Sequence, residues 1–146
     1  MIEDNIGYTF SNKGLLERAL TRKAYALEQK QEGIECEDQE IFRTLGDAVL
    51  KTILADILIQ NGAKTRNEIT NKKSKLETES HLSRVAQKLG IAPDIKLGKG
   101  EQKQGAIEVP LVLAEALEAI IGAIYYDGGF NAAKEVIKKW FDLKVF

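Results

Sequence analysis

Residues 111–126 form the longest strongly apolar run of this chain, and only Glu115 and Glu118 place charge within it. The run is too short to cross a bilayer, because a membrane-spanning helix needs about 20 apolar residues in succession. Pro110 suits the first turn of a helix, and the Asp-Gly-Gly sequence after Tyr126 is typical of a helix end. The pattern therefore predicts a helix over 110–126 that carries two acids in apolar surroundings.

Helical periodicity extends over most of the remaining chain. A long helix is predicted over 38–60, where apolar residues recur at helical spacing and Asn61-Gly62 supplies an end signal. Further helices are predicted for a segment capped by Ser11 and for residues 66–76, 80–89 and 131–143. Polar or Gly- and Lys-rich stretches predict loops over 27–37 and 91–109, and no segment has a convincing strand pattern. The predicted fold class is all-α, with residues 1–146 in a single domain.

Composition excludes several classes of protein. A hydrophobic share of 44% and a charged share of 29% are typical of a soluble globular domain. The 21 Lys and Arg residues nearly balance the 22 Asp and Glu residues, so any surface for nucleic acid must be a local patch. The single cysteine, Cys36, excludes an internal disulfide and suits a reducing, cytoplasmic compartment. The N-terminus lacks the pattern of a secretory signal peptide.

Two of the predicted helices carry acids that can share a site. Glu115 and Glu118 lie three residues apart and therefore on one helix face, and Asp47 shares a face with Glu40. Carboxylates gathered in a partly buried place repel one another unless a cation joins them. A hard divalent cation with oxygen ligands meets this need and can activate water for phosphoryl chemistry. The alternatives are a solvated acidic stripe, or pairing of these acids with lysine or arginine.

Glycines stand on both of these helices. Gly46 lies inside a predicted helix, where glycine costs about 1 kcal/mol relative to alanine, so the sequence predicts a packing reason for it. Gly122 follows Glu118 by one turn on the same face and would let the backbone of another helix come close.

Positive charge is concentrated in two places. One is the predicted helix over 66–76, and the other is the Gly-rich stretch that follows Leu97. Lysines on helix faces and in flexible loops are suited to phosphate contacts that carry little base readout. The alternative is an ordinary solvated face. The candidate RNA-binding residues are Lys72, Lys73, Lys75, Lys99 and Lys103.

Several short motifs occur in order along the chain. They are GYTF at 7–10, LLERALT at 15–21, LGDAVL at 45–50, LSRVAQKLGI at 82–91, LGKGE at 97–101 and LAEALEAIIGAIYYDGG at 113–129. In this order they resemble the catalytic endonuclease domain of the ribonuclease III family, and the last motif is the most specific. The similarity covers essentially the whole chain. The double-stranded-RNA-binding domain that usually follows in this family is expected to be absent.

The resemblance implies an endoribonuclease that cleaves double-stranded RNA in RNA processing, with Mg²⁺ or Mn²⁺ as the cofactor. It implies that Asp47 and Glu118 are catalytic, and that Asp47, Glu115 and Glu118 hold the metal. It also implies a homodimer that pairs through the helix carrying LGDAVL, with double-stranded or structured RNA as the partner and no membrane association.

The sequence departs from the family pattern at two neighbouring positions. Arg43 stands where the family has a glutamate ligand, and a guanidinium cannot ligate a metal. Arg43 is instead predicted to bridge Asp47 and Glu118, and Glu40 is a candidate surrogate ligand. Thr44 replaces the phenylalanine that packs into the partner subunit, which weakens the expected homodimer.

Three functional hypotheses therefore remain. The first is an active, metal-dependent endoribonuclease specific for double-stranded RNA. The second is a catalytically impaired relative that binds structured RNA or serves as a subunit of an RNA-processing or ribosomal assembly, with Arg43 as the internal counter-ion. The third is a helical interaction domain without an RNA role.

Overall fold

A computed structural model describes residues 1–143 of the chain, and these residues fold into α-helices and two short 3-10 helices. The 3-10 helices are Ala92–Asp94 and Ala106–Glu108. The α-helices in chain order are α1 (Ile2–Ile6), α2 (Lys13–Ala19), α3 (Lys23–Gln31), α4 (Glu40–Gln60), α5 (Arg66–Leu76), α6 (Glu79–Leu89), α7 (Lys99–Lys103), α8 (Pro110–Gly128) and α9 (Phe130–Trp140). The predicted all-α fold class is confirmed.

Helix α8 lies at the centre of the fold. Consecutive residues from Ala119 to Ile124 are buried, so every face of this part of the helix is covered. Helices α2, α4, α6 and α9 pack around it. No helix within residues 1–143 combines the length and the apolar character that crossing a membrane requires.

Helices α4 and α8 approach each other closely at two glycines. A Cβ atom at Gly46 would overlap the main-chain carbonyl of Glu118, and one at Gly122 would overlap the main-chain carbonyl of Phe42. The predicted packing reason for Gly46 is thus confirmed, as is the close approach at Gly122. This contact brings Asp47 of α4 and Glu118 of α8 to one hollow.

The N-terminal segment is tied to the end of α8 through Asp127. The Asp127 carboxylate accepts a hydrogen bond of 2.7 Å from the Tyr8 hydroxyl, and bonds of 2.8 and 3.0 Å from the backbone amides of Ser11 and Asn12. Asn12 is the residue that caps α2, because its side chain accepts a hydrogen bond from the amide of Gly14. The prediction that Ser11 caps this helix is wrong by one position.

Both predicted loops contain helix. The loop predicted over 27–37 is wrong for residues 27–31, because these continue α3, whose polar sequence buries only Ala26 and has no strong apolar period. The loop predicted over 91–109 contains both 3-10 helices and α7. Helix α7 is held by Glu101, which accepts from the Gly98 amide at 3.1 Å, and by Glu28, which accepts from the Lys99 amide at 2.9 Å.

Several of the remaining helix boundaries differ from the predicted ones by one to three residues, whereas α5 matches its prediction. Helix α4 starts at Glu40 rather than at residue 38, and α9 ends at Trp140 rather than at residue 143. Within the described part of the chain, β structure is limited to one isolated bridge between Thr21 and Lys96. This bridge joins the end of the α2 segment to the connection before α7.

Candidate active site

Asp47 on α4 and Glu118 on α8 form a pair of carboxyl groups beside the glycine crossing. Burial raises the pKa of Glu118 to about 7, and a hydrogen bond to Asp47 together with the negative charge of Asp47 acts in the same direction. Arg43 and Lys51 oppose this shift. Glu118 therefore keeps its proton to a higher pH than an exposed glutamate does.

Asp47 has a different electrostatic environment from its partner. Its burial acts to raise its pKa, but hydrogen bonds with Glu118 and Lys51 and the positive charges of Lys51 and Lys73 bring the pKa below its usual value. The Lys51 ammonium lies 3.0 Å from the Asp47 carboxylate, one turn along α4. Two adjacent acids with pKa values shifted apart suit a site where one must ionise while the other holds a proton.

Arg43 lies on the other side of this region. One of its terminal nitrogens contacts Glu115 on α8, and the other lies 3.3 Å from Glu40 on its own helix. This differs from the prediction that Arg43 bridges Asp47 and Glu118. Glu40 lies one turn before Arg43 on α4, and Glu115 lies one turn before Glu118 on α8. These two acids therefore stand nearer to the Arg43 guanidinium than Asp47 and Glu118 do.

Arg22 is a second arginine at Glu115, and sequence reasoning missed it. Its terminal nitrogen lies 2.8 Å from Glu115, and another lies 3.0 Å from Glu101. Arg22 is the residue immediately before α3, and Glu101 belongs to α7. The only signal in the sequence was the presence of Glu101 in the LGKGE motif, and nothing in the spacing linked that motif to Arg22.

The polar groups line two separate hollows on the surface. A hollow of about 280 Å³ is lined by Arg43, Thr44, Asp47 and Glu118. A second hollow, of about 400 Å³, has among its lining residues Arg22, Glu40, Arg43, Glu101 and Glu115. Arg43 borders both. The predicted site residues are therefore divided, with Asp47 and Glu118 on one side of the guanidinium and Glu40 and Glu115 on the other.

Known proteins share this arrangement of helices. A family model described as ribonuclease-III-like matches residues 12–144. The chain belongs to the ribonuclease-III-like family. It is 36% identical over 141 residues to a protein named ribonuclease 3 from Bdellovibrio bacteriovorus, covering 96% of this chain and 59% of that protein. It is also 36% identical to ribonuclease 3 from Carboxydothermus hydrogenoformans, covering 99% of this chain and 61% of that protein.

Solved structures agree with the family membership. The nuclease domain of ribonuclease III from Campylobacter jejuni, described as flexible in a region involved in dimer formation, has a TM-score of 0.86 at 29% identity. The comparison covers 97% of this chain and 94% of that structure. This ribonuclease-III-like chain spans about three fifths of the length of the two curated relatives and nearly all of the Campylobacter nuclease domain.

Ribonuclease III family enzymes are metal-dependent nucleases, and the acids of this chain differ in how well they suit a divalent cation. Within residues 1–143, no three His, Cys, Asp or Glu side chains come together as one set of metal ligands. Asp47 and Glu118 offer the oxygen donors that a hard cation prefers. Both carboxylate oxygens of Glu115 already have arginine partners. The donor set therefore fits a cation at the Asp47–Glu118 pair, whereas a set of four acids does not fit.

The candidate RNA-binding lysines lie on two helices that flank these acids. Lys72, Lys75, Lys99 and Lys103 are exposed. Lys73 is half-buried, and its ammonium lies 3.0 Å from Glu77. Helix α5 packs against α4 on the side of Asp47, whereas α7 contributes Glu101 to the group around Glu115. Candidate lysines thus lie on a helix packed against α4 and on the helix that contributes Glu101 to the group around Glu115.

An apolar surface adjoins the site along α4. A hollow of about 240 Å³ is lined by Leu45, Val49, Tyr125 and Phe130 together with Ala48 and Thr52. Ile41 is 55% exposed and Tyr126 is 69% exposed, so both add apolar area to the surface of this part of the protein. Thr44 is exposed, and its hydroxyl donates to the carbonyl of Glu40 at 3.0 Å.

Proposed function

We propose that this chain is a ribonuclease-III-type endoribonuclease that hydrolyses phosphodiester bonds in double-stranded RNA during RNA processing in the cytoplasm. The observation that carries the proposal is the Asp47–Glu118 carboxyl pair at the close crossing of α4 and α8. Gly46 and Gly122 let the main chains of α4 and α8 come so close that no side chain fits between them, and this contact fixes the positions of both carboxyl groups. Such a rigid placement of two carboxyl groups is what positioning of a reacting phosphate requires.

The cofactor of this reaction is proposed to be Mg²⁺, or Mn²⁺ in its place, held by Asp47 and Glu118. When bound, the ion supplies Lewis-acid stabilisation of the phosphoryl group and lowers the pKa of a bound water. Glu118 must release its proton to act as a ligand, and the pKa of about 7 places that release near neutral pH. Lys51 stabilises the ionised form of Asp47, because its ammonium lies 3.0 Å from the carboxylate.

Double-stranded or structured RNA is the proposed partner, bound through its phosphates. Lys72 and Lys75 would contact the duplex on one side of the acids, and Lys99 and Lys103 on the other. Lys73 contributes less, because its charge is already shared with Glu77. Binding of this type falls steeply with salt concentration and depends little on sequence.

A second copy of the chain is the proposed protein partner, facing the apolar surface along α4. The exposed Ile41 and Tyr126 and the hollow lined by Leu45 and Phe130 give that surface its apolar character. Thr44 supplies no large apolar side chain to insert into a partner, so we expect a weak homodimer. Light scattering over a range of concentrations measures this directly.

One observation favours a second candidate function, a catalytically impaired protein that binds structured RNA or serves within an RNA-processing or ribosomal assembly. Arg43 occupies the position of a family ligand and is paired with Glu115. An arginine in this place removes one carboxylate from the site and adds a permanent positive charge. A chain of this kind would retain affinity for duplex RNA without cutting it.

The deciding experiment is a cleavage assay on end-labelled duplex RNA with Mg²⁺ or Mn²⁺. The wild-type chain is compared with Glu118→Gln and with Glu135→Gln, a control that alters an exposed acid on α9. Cleavage that is lost in Glu118→Gln and kept in Glu135→Gln supports the endoribonuclease. Duplex binding without cleavage by the wild-type chain supports the impaired candidate, and absence of both contradicts an RNA function.

A further inference from the structure

Glu115 is nearly enclosed, and both of its carboxylate oxygens already have cationic partners. Its side chain is 13% exposed. Oε1 accepts a hydrogen bond of 2.8 Å from Arg22, and Oε2 contacts Arg43. Each oxygen of this carboxylate therefore already has a guanidinium partner, with which a metal ion would have to compete.

The two arginines are themselves fixed by further acids. The Nε and Nη2 atoms of Arg22 lie 3.1 and 3.0 Å from Glu101, and the Arg22 side chain is only 17% exposed. Arg43 lies 3.3 Å from Glu40. The resulting group of five charges, here called the arginine clamp, consists of Arg22, Glu40, Arg43, Glu101 and Glu115. It joins the start of α3 to α4, α7 and α8.

We propose that Arg22 and Arg43 are the permanent counter-ions of Glu115, and that a divalent cation is confined to the Asp47–Glu118 pair. The metal part of this inference rests on the proposed function, whereas the structural part does not. A guanidinium keeps its charge at all relevant pH values and forks readily onto carboxylates. Arg43 also separates the hollow that contains Asp47 and Glu118 from the one that contains Glu115.

Displacing the clamp in favour of a metal is energetically unfavourable. A metal at Glu115 would compete with Arg22 for one carboxylate oxygen and with Arg43 for the other. Arg22 would then keep only Glu101 as an acidic partner and Arg43 only Glu40, and the loss of a partly buried ion pair destabilises the fold. The arginine clamp thus neutralises the charge of Glu115, as a bound cation would, without a metal ion.

The first test is a titration of the full chain with Mn²⁺, followed by electron paramagnetic resonance. We expect Glu118→Gln to weaken Mn²⁺ binding by about tenfold or more, as loss of a ligand does. Glu115→Gln is expected to leave the affinity unchanged. A loss in Glu115→Gln equal to the loss in Glu118→Gln would overturn the proposal, because Glu115 would then be a ligand.

The second test is thermal unfolding in the presence of EDTA, so that no metal contributes. Arg43→Gln and Glu115→Gln are each expected to lower Tm by about 3–6 °C, and the double variant by less than the sum. Arg84→Gln, which changes an exposed arginine on α6, is the control and should leave Tm unchanged. Additive decreases in Tm, or no decrease in the single variants, would overturn the proposal that Arg43 and Glu115 stabilise each other.

The two tests separate this inference from the proposed function. If the wild-type chain binds no Mn²⁺, the proposed metal-dependent reaction is contradicted. The unfolding experiment then tests by itself whether Arg22 and Arg43 are the counter-ions of Glu115. Arg43→Gln alters a side chain that is only partly enclosed, so this variant is expected to fold and to keep the measurement informative.

Discussion

The guanidinium of Arg43 on α4 contacts the carboxylate of Glu115 on α8, one helical turn away from the Asp47–Glu118 pair. A positive charge at this place repels a divalent cation and occupies one oxygen of Glu115, whose other oxygen is held by Arg22. Replacing it with an acid reverses both effects. We therefore expect Arg43→Glu to bind Mn²⁺ about tenfold more tightly than the wild-type chain, because ligand charge tunes the affinity of such sites.

Isothermal titration with Mn²⁺ measures this effect, and Arg43→Gln is the matched control. The glutamine variant removes the positive charge without adding a carboxylate, so its affinity should fall between those of the wild type and Arg43→Glu. If Arg43→Glu binds no better than the wild-type chain, Arg43 is not what limits metal binding at this site.

Glu118 makes the stability of the metal-free protein depend on pH. Its folded pKa of about 7 lies above the ordinary value of 4.5, so the folded chain retains a proton that the unfolded chain releases. The contribution to stability is fully present below about pH 4.5 and is lost as pH rises through 7. We expect Glu118→Gln to gain stability relative to the wild type between about pH 5 and about pH 8.

Chemical denaturation in EDTA across this pH range tests the expectation. Glu135→Gln removes an exposed acid and should follow the wild-type curve throughout. Parallel curves for the wild type and Glu118→Gln would show that the Glu118 carboxyl is not perturbed by its surroundings.

Gly46 should tolerate no side chain. A Cβ atom there overlaps the main chain of α8, which cannot move aside as the end of a flexible side chain could. We expect Gly46→Ala to lower the free energy of unfolding by about 3 kcal/mol or more, and to impair any activity of the Asp47–Glu118 pair. Gly100→Ala is the control, because a Cβ atom at that helical position meets no atom within 4 Å. Equal stability of the two variants would contradict the close crossing.

The long helices could be predicted from sequence because each has a local signal. Helix α5 begins at Arg66 and ends at Leu76, as its pattern predicts, and α4 and α8 follow from apolar periodicity and end signals. Gly46 and Gly122 pointed to a close approach because glycine is costly inside a helix unless packing requires it. Helices α3 and α7 were missed because they are short and polar and are held by contacts distant in sequence, such as Glu28 with Lys99.

The candidate site could be predicted only in part, for a related reason. Spacing along one helix places Glu115 beside Glu118 and Glu40 beside Arg43, and these neighbours are as expected. The acid with which Arg43 pairs depends on the angle and offset between α4 and α8. The periodicity of the sequence does not encode these quantities. The role of Arg22 depends on where the segment before α3 lies against α8, so no motif within either segment could reveal it.

Asp127 is expected to matter for stability rather than for chemistry. Its carboxylate accepts from the Tyr8 hydroxyl and from two backbone amides, and thereby fixes the N-terminal segment to the end of α8. Burial alone would raise the pKa of Asp127, but these hydrogen bonds bring it below its usual value. Burial and the hydrogen bond to Asp127 raise the pKa of Tyr8 to about 12, so the donor keeps its proton at any working pH.

Asp127→Asn should therefore lower the free energy of unfolding by about 1–2 kcal/mol at neutral pH. Because the folded pKa is depressed, the wild-type advantage is present above the unfolded pKa of about 4 and is lost as pH falls through the folded pKa. Denaturant titrations at neutral and acidic pH measure the difference. Asp4→Asn, at an exposed position in α1, is the control and should change stability little at either pH. A difference between wild type and Asp127→Asn that stays constant as pH falls would mean that the asparagine replaces the carboxylate fully as an acceptor.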